Sequence, residues 1–127
     1  MSRLRTPLKQ ARNVGSAQHG TGHWWMQRLT AVALVPLGVW FVIGVLMLLH
    51  ADYLGAHAML ARPWNALLML GFIAAVFWHA QLGLQVIIED YVHTPWRAFA
   101  LIALVKLLAV LLALACALAV LRIALGS

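Results

Sequence analysis

Apolar residues in this chain come in long runs, at about residues 29–49, 64–88 and 99–121. Strict alternation would predict half-buried strands, and an i, i+3, i+4 stripe would predict a surface helix. Runs of about 18 or more predict helices surrounded by hydrocarbon. Each run meets the ~20 residues that a helix needs to cross a bilayer. The pattern therefore predicts an all-α integral membrane protein with three transmembrane helices.

The few interruptions refine this picture. Pro36 and Gly38 lie inside the first run. A membrane helix tolerates proline where neighbours re-satisfy the freed carbonyl, so a kink is expected near Pro36. Arg62-Pro63 opens the second run and Thr94-Pro95-Trp96-Arg97 the third, because proline suits a first helical turn. Residues 50–63 and 89–98 read as short linkers, with His50, Asp52 and His57 solvated in the first of them. Trp24, Trp25, Trp64 and Trp96 fall at span ends, as an interfacial aromatic belt requires.

Composition agrees: 65% of the 127 residues are hydrophobic and 9% are charged, against about 25% charged in soluble domains. Residues 1–22 form a polar, basic tail without an apolar core, and residues 23–127 form the three-helix anchor. The tail does not read as a secretory signal peptide, because the run after it is too long and lacks a small-residue cleavage site.

The net charge of +6 is concentrated near the first span, in Arg3, Arg5, Lys9, Arg12 and Arg28. That placement predicts a cytoplasmic N-terminus and attraction to anionic lipid headgroups, not nucleic-acid binding. Three crossings then put the C-terminus outside and the 89–98 linker on the cytoplasmic side. Arg122 lies on the outer side, against the rule. Cys116 is the lone cysteine and reads as a small hydrophobe. An iron–sulfur cluster needs several thiolates, so any such centre belongs to another chain.

Candidate chemistry centres on His79, deep in the second run. An ionisable side chain in hydrocarbon is a functional-site hypothesis by default, and imidazole offers a metal-ligating nitrogen or a proton relay. His79 lies roughly 15 Å from the cytoplasmic end of its helix. Gly83, one turn on, leaves a notch that suits a flat macrocycle. The alternative is a packing histidine bonded to a neighbouring helix.

Eleven residues on from His79, Asp90 falls about 20° off its face and roughly 16 Å nearer the cytoplasm. Tyr91 is about 120° around if the helix persists that far. Its phenol is either a belt anchor or a hydrogen-bond donor to a quinone carbonyl. Asp90 would then fix a neighbouring cation or pass protons. Arg28 is either a positive-inside anchor or a partner for carboxylates such as haem propionates, and His23 lies near the same level. Lys106 can snorkel to the cytoplasmic surface, and Gln81 and Gln85 are expected to bond across helices. No hydrolase constellation and no phosphate-binding loop is present.

His79-x-x-x-Gly83 followed by Asp90-Tyr91 resembles the second-helix signature of the small hydrophobic membrane-anchor subunit (the cytochrome b556-type D subunit) of proteobacterial succinate dehydrogenase, respiratory complex II. The segment from Gly22 to Leu34 (GHWWMQRLTAVAL) resembles the start of the first helix in that family. The resemblance implies a bacterial inner-membrane heterotetramer: a flavoprotein subunit, an iron–sulfur subunit and two anchors sharing one b-type haem. It further implies that His79 is an axial haem iron ligand, with Arg28 and His23 near the haem. Tyr91 would bond the substrate ubiquinone, and Asp90 would support the quinone pocket. Glu89 and His93 depart from the plain pattern. Two other readings stand beside this one: a cofactor-free structural or assembly subunit, and a proton-conducting subunit using His79, Glu89 and Asp90. A proton conductor would need a continuous polar stripe, which the outer half of the second span lacks.

Overall fold

The computed structural model describes residues 16–126, with side chains from Gly22 onward. The tail cations Arg3, Arg5, Lys9 and Arg12 lie outside the described residues. Four helices follow one another: α1 (Ser16–Leu48), α2 (Tyr53–Ala61), α3 (Pro63–Tyr91) and α4 (Pro95–Leu125). Three of them, over Gly22–Leu48, Pro63–Tyr91 and Pro95–Leu125, are long and apolar enough to cross a membrane. The expected all-α, three-span architecture is thus present.

Several boundaries differ from the expectation, and the 89–98 linker shrinks to residues 92–94. Helix α1 already begins at Ser16, inside the segment read as tail, and it continues through Pro36 as helix. The 50–63 linker contains the nine-residue helix α2. Its start is set by Asp52, whose carboxylate accepts from the Gly55 amide at 2.8 Å. This N-cap satisfies one of the free N–H groups of a first turn. Asp52 is exposed, as expected, whereas His57 is only half exposed.

The remaining ends follow local rules. Arg62 closes α2 and, in extended conformation, admits Pro63 as the first residue of α3. Helix α3 ends where the Val92 amide donates to the Ile88 carbonyl at 2.8 Å. Pro95 opens α4, and Gly126 ends it with φ 76°, a left-handed conformation that glycine adopts without steric cost.

Helix α3 is central: α1 and α4 both pack along it, while they scarcely meet each other. The few buried positions reflect this, with Ala66, Ala75, Leu82 and Gln85 on α3 and Thr30 on α1. No residue of α2 or α4 is buried. Small residues such as Ala66 and Ala75 let the helix backbones approach. Farther along the α1–α3 seam, Phe41 and Phe72 stack with ring centroids 4.6 Å apart and 16° between planes. Near the same end, a cavity of about 300 Å³ opens between α1, α2 and α3, with Trp40, Met59, Arg62 and Asn65 in its wall. Most large apolar side chains point outward, among them Leu107, Leu111 and Leu118 of α4. That surface is what a hydrocarbon phase solvates, because the helices satisfy their own backbone groups. Cys116 belongs to it and is exposed.

Candidate functional site

One stripe of α1 and one stripe of α3 build the site. His23, Gln27 and Thr30 are spaced i, i+4, i+7, and so share a face of α1. His79, Gly83 and Asp90 share a face of α3 by the same 100° step. The two stripes meet antiparallel. The Thr30 hydroxyl stands 3.0 Å from His79 Nδ1. One turn along, Gln27 Nε2 lies 3.9 Å from where a Cβ on Gly83 would sit. Continuing that register puts His23 about level with Val86 and Ile87, a turn short of the end of α3.

Thr30 is 7% exposed, and its hydroxyl also lies 2.8 Å from the Met26 carbonyl and 3.0 Å from that of Gln27. His79 is half buried, and its Nε2 has no hydrogen-bond partner among the described residues. The Gln27 amide oxygen is buried and likewise has no partner among the described residues. Buried polar atoms are normally satisfied, so the seam beside Gly83 carries hydrogen-bonding capacity that the described residues do not use. Among the described residues, no three His, Cys, Asp or Glu side chains converge on a metal position.

The helix persists to Tyr91, which is 79% exposed. Asp90 and Glu89 are exposed as well. Arg28 projects outward from the neighbouring face of α1, its guanidinium 4.8 Å from the centroid of the Trp24 ring. Such a cation–π contact holds the guanidinium against the ring and leaves its N–H edge to other partners. Thus His79 faces the α1 seam and Asp90 and Tyr91 stand at the end of the bundle where α3 finishes, whereas Arg28, two residues from Thr30 on α1, is level with the turn of α3 that follows His79. His23 is half buried on the α1 stripe.

The glutamines correct an expectation. Among the described residues Gln81 and Gln85 do not bond across helices; the Gln81 amide donates to Gln85 at 3.1 Å, and the Gln85 amide donates to Glu89 at 3.0 Å. The three form a ladder at i, i+4 spacing on one helix, because that spacing already brings the side chains into reach. Gln85, at 8% exposure, is satisfied by it.

The seam was only half visible in the sequence. Thr30 and Gln27 were not singled out as site residues, though both are polar positions at the edge of the first apolar run. Their spacing of three residues places them on one helical face.

A family model described as "Succinate dehydrogenase/Fumarate reductase transmembrane subunit" matches residues 2–114. The match takes in α1, α2, α3 and most of α4, so it covers both stripes. This chain belongs to that family. Its relatives include the succinate dehydrogenase hydrophobic membrane anchor subunit of Rickettsia bellii, 36% identical over 108 residues, 85% of this chain and 86% of the relative. The corresponding anchor subunit of Paracoccus denitrificans is 34% identical over 100 residues, 79% and 78% of the two chains. That of Reclinomonas americana is 33% identical over 99 residues, 72% and 78%. No solved structure matches the chain. The resemblance carried by His79, Gly83, Asp90 and Tyr91 is borne out as family membership. Like its relatives, this transmembrane subunit of the succinate dehydrogenase/fumarate reductase family is an anchor and not the catalytic subunit.

Proposed function

We propose that this subunit anchors a bacterial succinate:quinone oxidoreductase in the inner membrane, with its N-terminus in the cytoplasm. A second anchor, an iron–sulfur subunit and a flavoprotein subunit complete the complex. Electrons from succinate leave the iron–sulfur subunit and reduce ubiquinone at the membrane surface beside Tyr91.

The observation that carries this reading is the state of His79. One ring nitrogen is held by Thr30 at 3.0 Å, and the other has no partner among the described residues and is left for a ligand, one turn from Gly83 and the Gln27 amide that lies against it. That donor chemistry would serve as one iron ligand of a b-type haem shared with the second anchor, whose own histidine would supply another. The unused Gln27 oxygen at the same seam is consistent with a site completed by a further group. When bound, such a haem supplies one-electron redox chemistry within the membrane.

This chain's residues would hold and orient. His79 provides the imidazole nitrogen, and Arg28 and His23 lie on α1 toward the surface, where propionate carboxylates would need cations. Tyr91, fully outward at the end of α3, donates its phenolic hydrogen to a ubiquinone carbonyl. Ubiquinone accepts two electrons and two protons to become ubiquinol, and Asp90 is the adjacent carboxylate that can pass a proton.

The test is the complex purified through a tag on this chain. Co-purification of flavoprotein, iron–sulfur and second anchor subunits, with a bis-histidine haem spectrum on reduction, is expected. His79→Ala should remove that spectrum. An unaltered spectrum would defeat the ligand assignment, and a complex without haem or quinone would favour a cofactor-free structural subunit.

A further inference from the structure

Resting on the reading of His79 as a haem ligand, we propose that Thr30 is its positioning residue. The Thr30 hydroxyl accepts the Nδ1 hydrogen of His79 and so fixes the tautomer whose Nε2 is bare. The argument is one of counting protons. A hydroxyl has one hydrogen and two lone pairs, whereas a carbonyl oxygen only accepts. Thr30 Oγ1 lies against two such carbonyls, Met26 at 2.8 Å and Gln27 at 3.0 Å. Both sit one turn back along α1, where a helical threonine hydroxyl donates as a matter of course.

With the single hydrogen directed there, Thr30 meets His79 only as an acceptor. The 3.0 Å contact then requires hydrogen on Nδ1, which leaves the Nε2 lone pair for iron. Burial of Thr30 keeps water from replacing this contact. The hydroxyl is thereby tied at three points and cannot turn away from the ring. In metal sites generally, an acceptor on the far nitrogen fixes ring orientation and raises the basicity of the ligating one.

A more basic imidazole favours ferric over ferrous iron. Thr30→Val keeps the shape of the side chain and removes the acceptor. In the intact complex this variant should raise the haem midpoint potential and weaken haem retention, by roughly ten- to 100-fold. Thr30→Ser, which retains the hydroxyl, should restore both. An unchanged potential and haem content in Thr30→Val overturns the proposal. So does Thr30→Ser shifting as far as Thr30→Val, since methyl packing would then be the cause. If Thr30→Val does not assemble, the redox-difference infrared spectrum of the wild-type complex carrying isotope-labelled histidine decides. Ring modes of a ligand protonated at Nδ1 support the assignment, and modes of a ligand without that hydrogen overturn it. The two readings fail separately. A haem spectrum surviving His79→Ala defeats the ligand assignment whatever Thr30 does. Loss of the spectrum in His79→Ala beside an unaffected Thr30→Val defeats only the positioning role.

Discussion

The Gln27 amide lies against Gly83, with Nε2 3.9 Å from the point a Cβ on that glycine would occupy. That distance is ordinary van der Waals contact, so the fold itself does not demand glycine at this position. A methyl group fits and relieves the flexibility that glycine brings to a helix, about 0.5–1 kcal/mol. Gly83→Ala should therefore leave subunit yield and assembly intact. Gly83→Leu fills the flank beside His79, and overpacking of about 1–3 kcal/mol corresponds to roughly five- to 150-fold weaker haem retention. The haem-to-flavin ratio of purified complex reads both. Equal ratios in wild type and Gly83→Leu would mean that no haem lies against that flank.

Tyr91 carries the quinone assignment. Removing its hydroxyl deletes one hydrogen bond, about 0.5–1.5 kcal/mol, or roughly two- to twelvefold in rate. Tyr91→Phe should lower ubiquinone reduction by that factor while sparing succinate oxidation with an artificial acceptor. Equal activity of the variant in both assays, relative to wild type, would make Tyr91 an interfacial anchor.

Phe41 and Phe72 join α1 to α3 away from the site, at 4.6 Å between ring centroids. A stacked pair contributes about 0.5–1.5 kcal/mol beyond its buried area. A double-mutant cycle with Phe41→Ala and Phe72→Ala, followed by unfolding in mixed detergent micelles, should return a coupling of that size. Strict additivity would show that lipid tails replace each ring equally well.

Asp52 and Gly55 form a paired test of α2. Asp52→Ala removes the cap that holds the Gly55 amide at 2.8 Å, at a cost of about 0.5–2 kcal/mol. Gly55→Ala should loosen the same turn by another route, because its Cβ would approach Asp52 Oδ1 to 2.9 Å. Hydrogen exchange at the α2 amides should accelerate in both variants. Unchanged protection would assign the stability of α2 to its packing alone.

Much of the architecture was legible because a bilayer imposes a simple rule. Apolar runs of spanning length must be helical, and prolines at positions 63 and 95 mark where two of them begin. The helix α2 was hidden because nine residues are too few for periodicity to separate helix from linker. Its signal was Asp52 followed by Gly55, a pairing that capping geometry explains only once the turn is seen. The glutamine ladder was misassigned because i, i+4 partners and cross-helix partners are equally open to an amide until packing is known.

His79, Gly83, Asp90 and Tyr91 were determined by sequence alone, as positions on a single helix where a rise of about 1.5 Å and a turn of about 100° per residue leave no freedom. What faces them was not. Thr30 is 49 positions away from His79, and no periodicity within one helix can say which face of another it meets. Only the packing of α1 along α3 brought that hydroxyl to the imidazole. The contact depends on crossing and register, which are set by many weak van der Waals contacts between helices rather than by any residue's own preference.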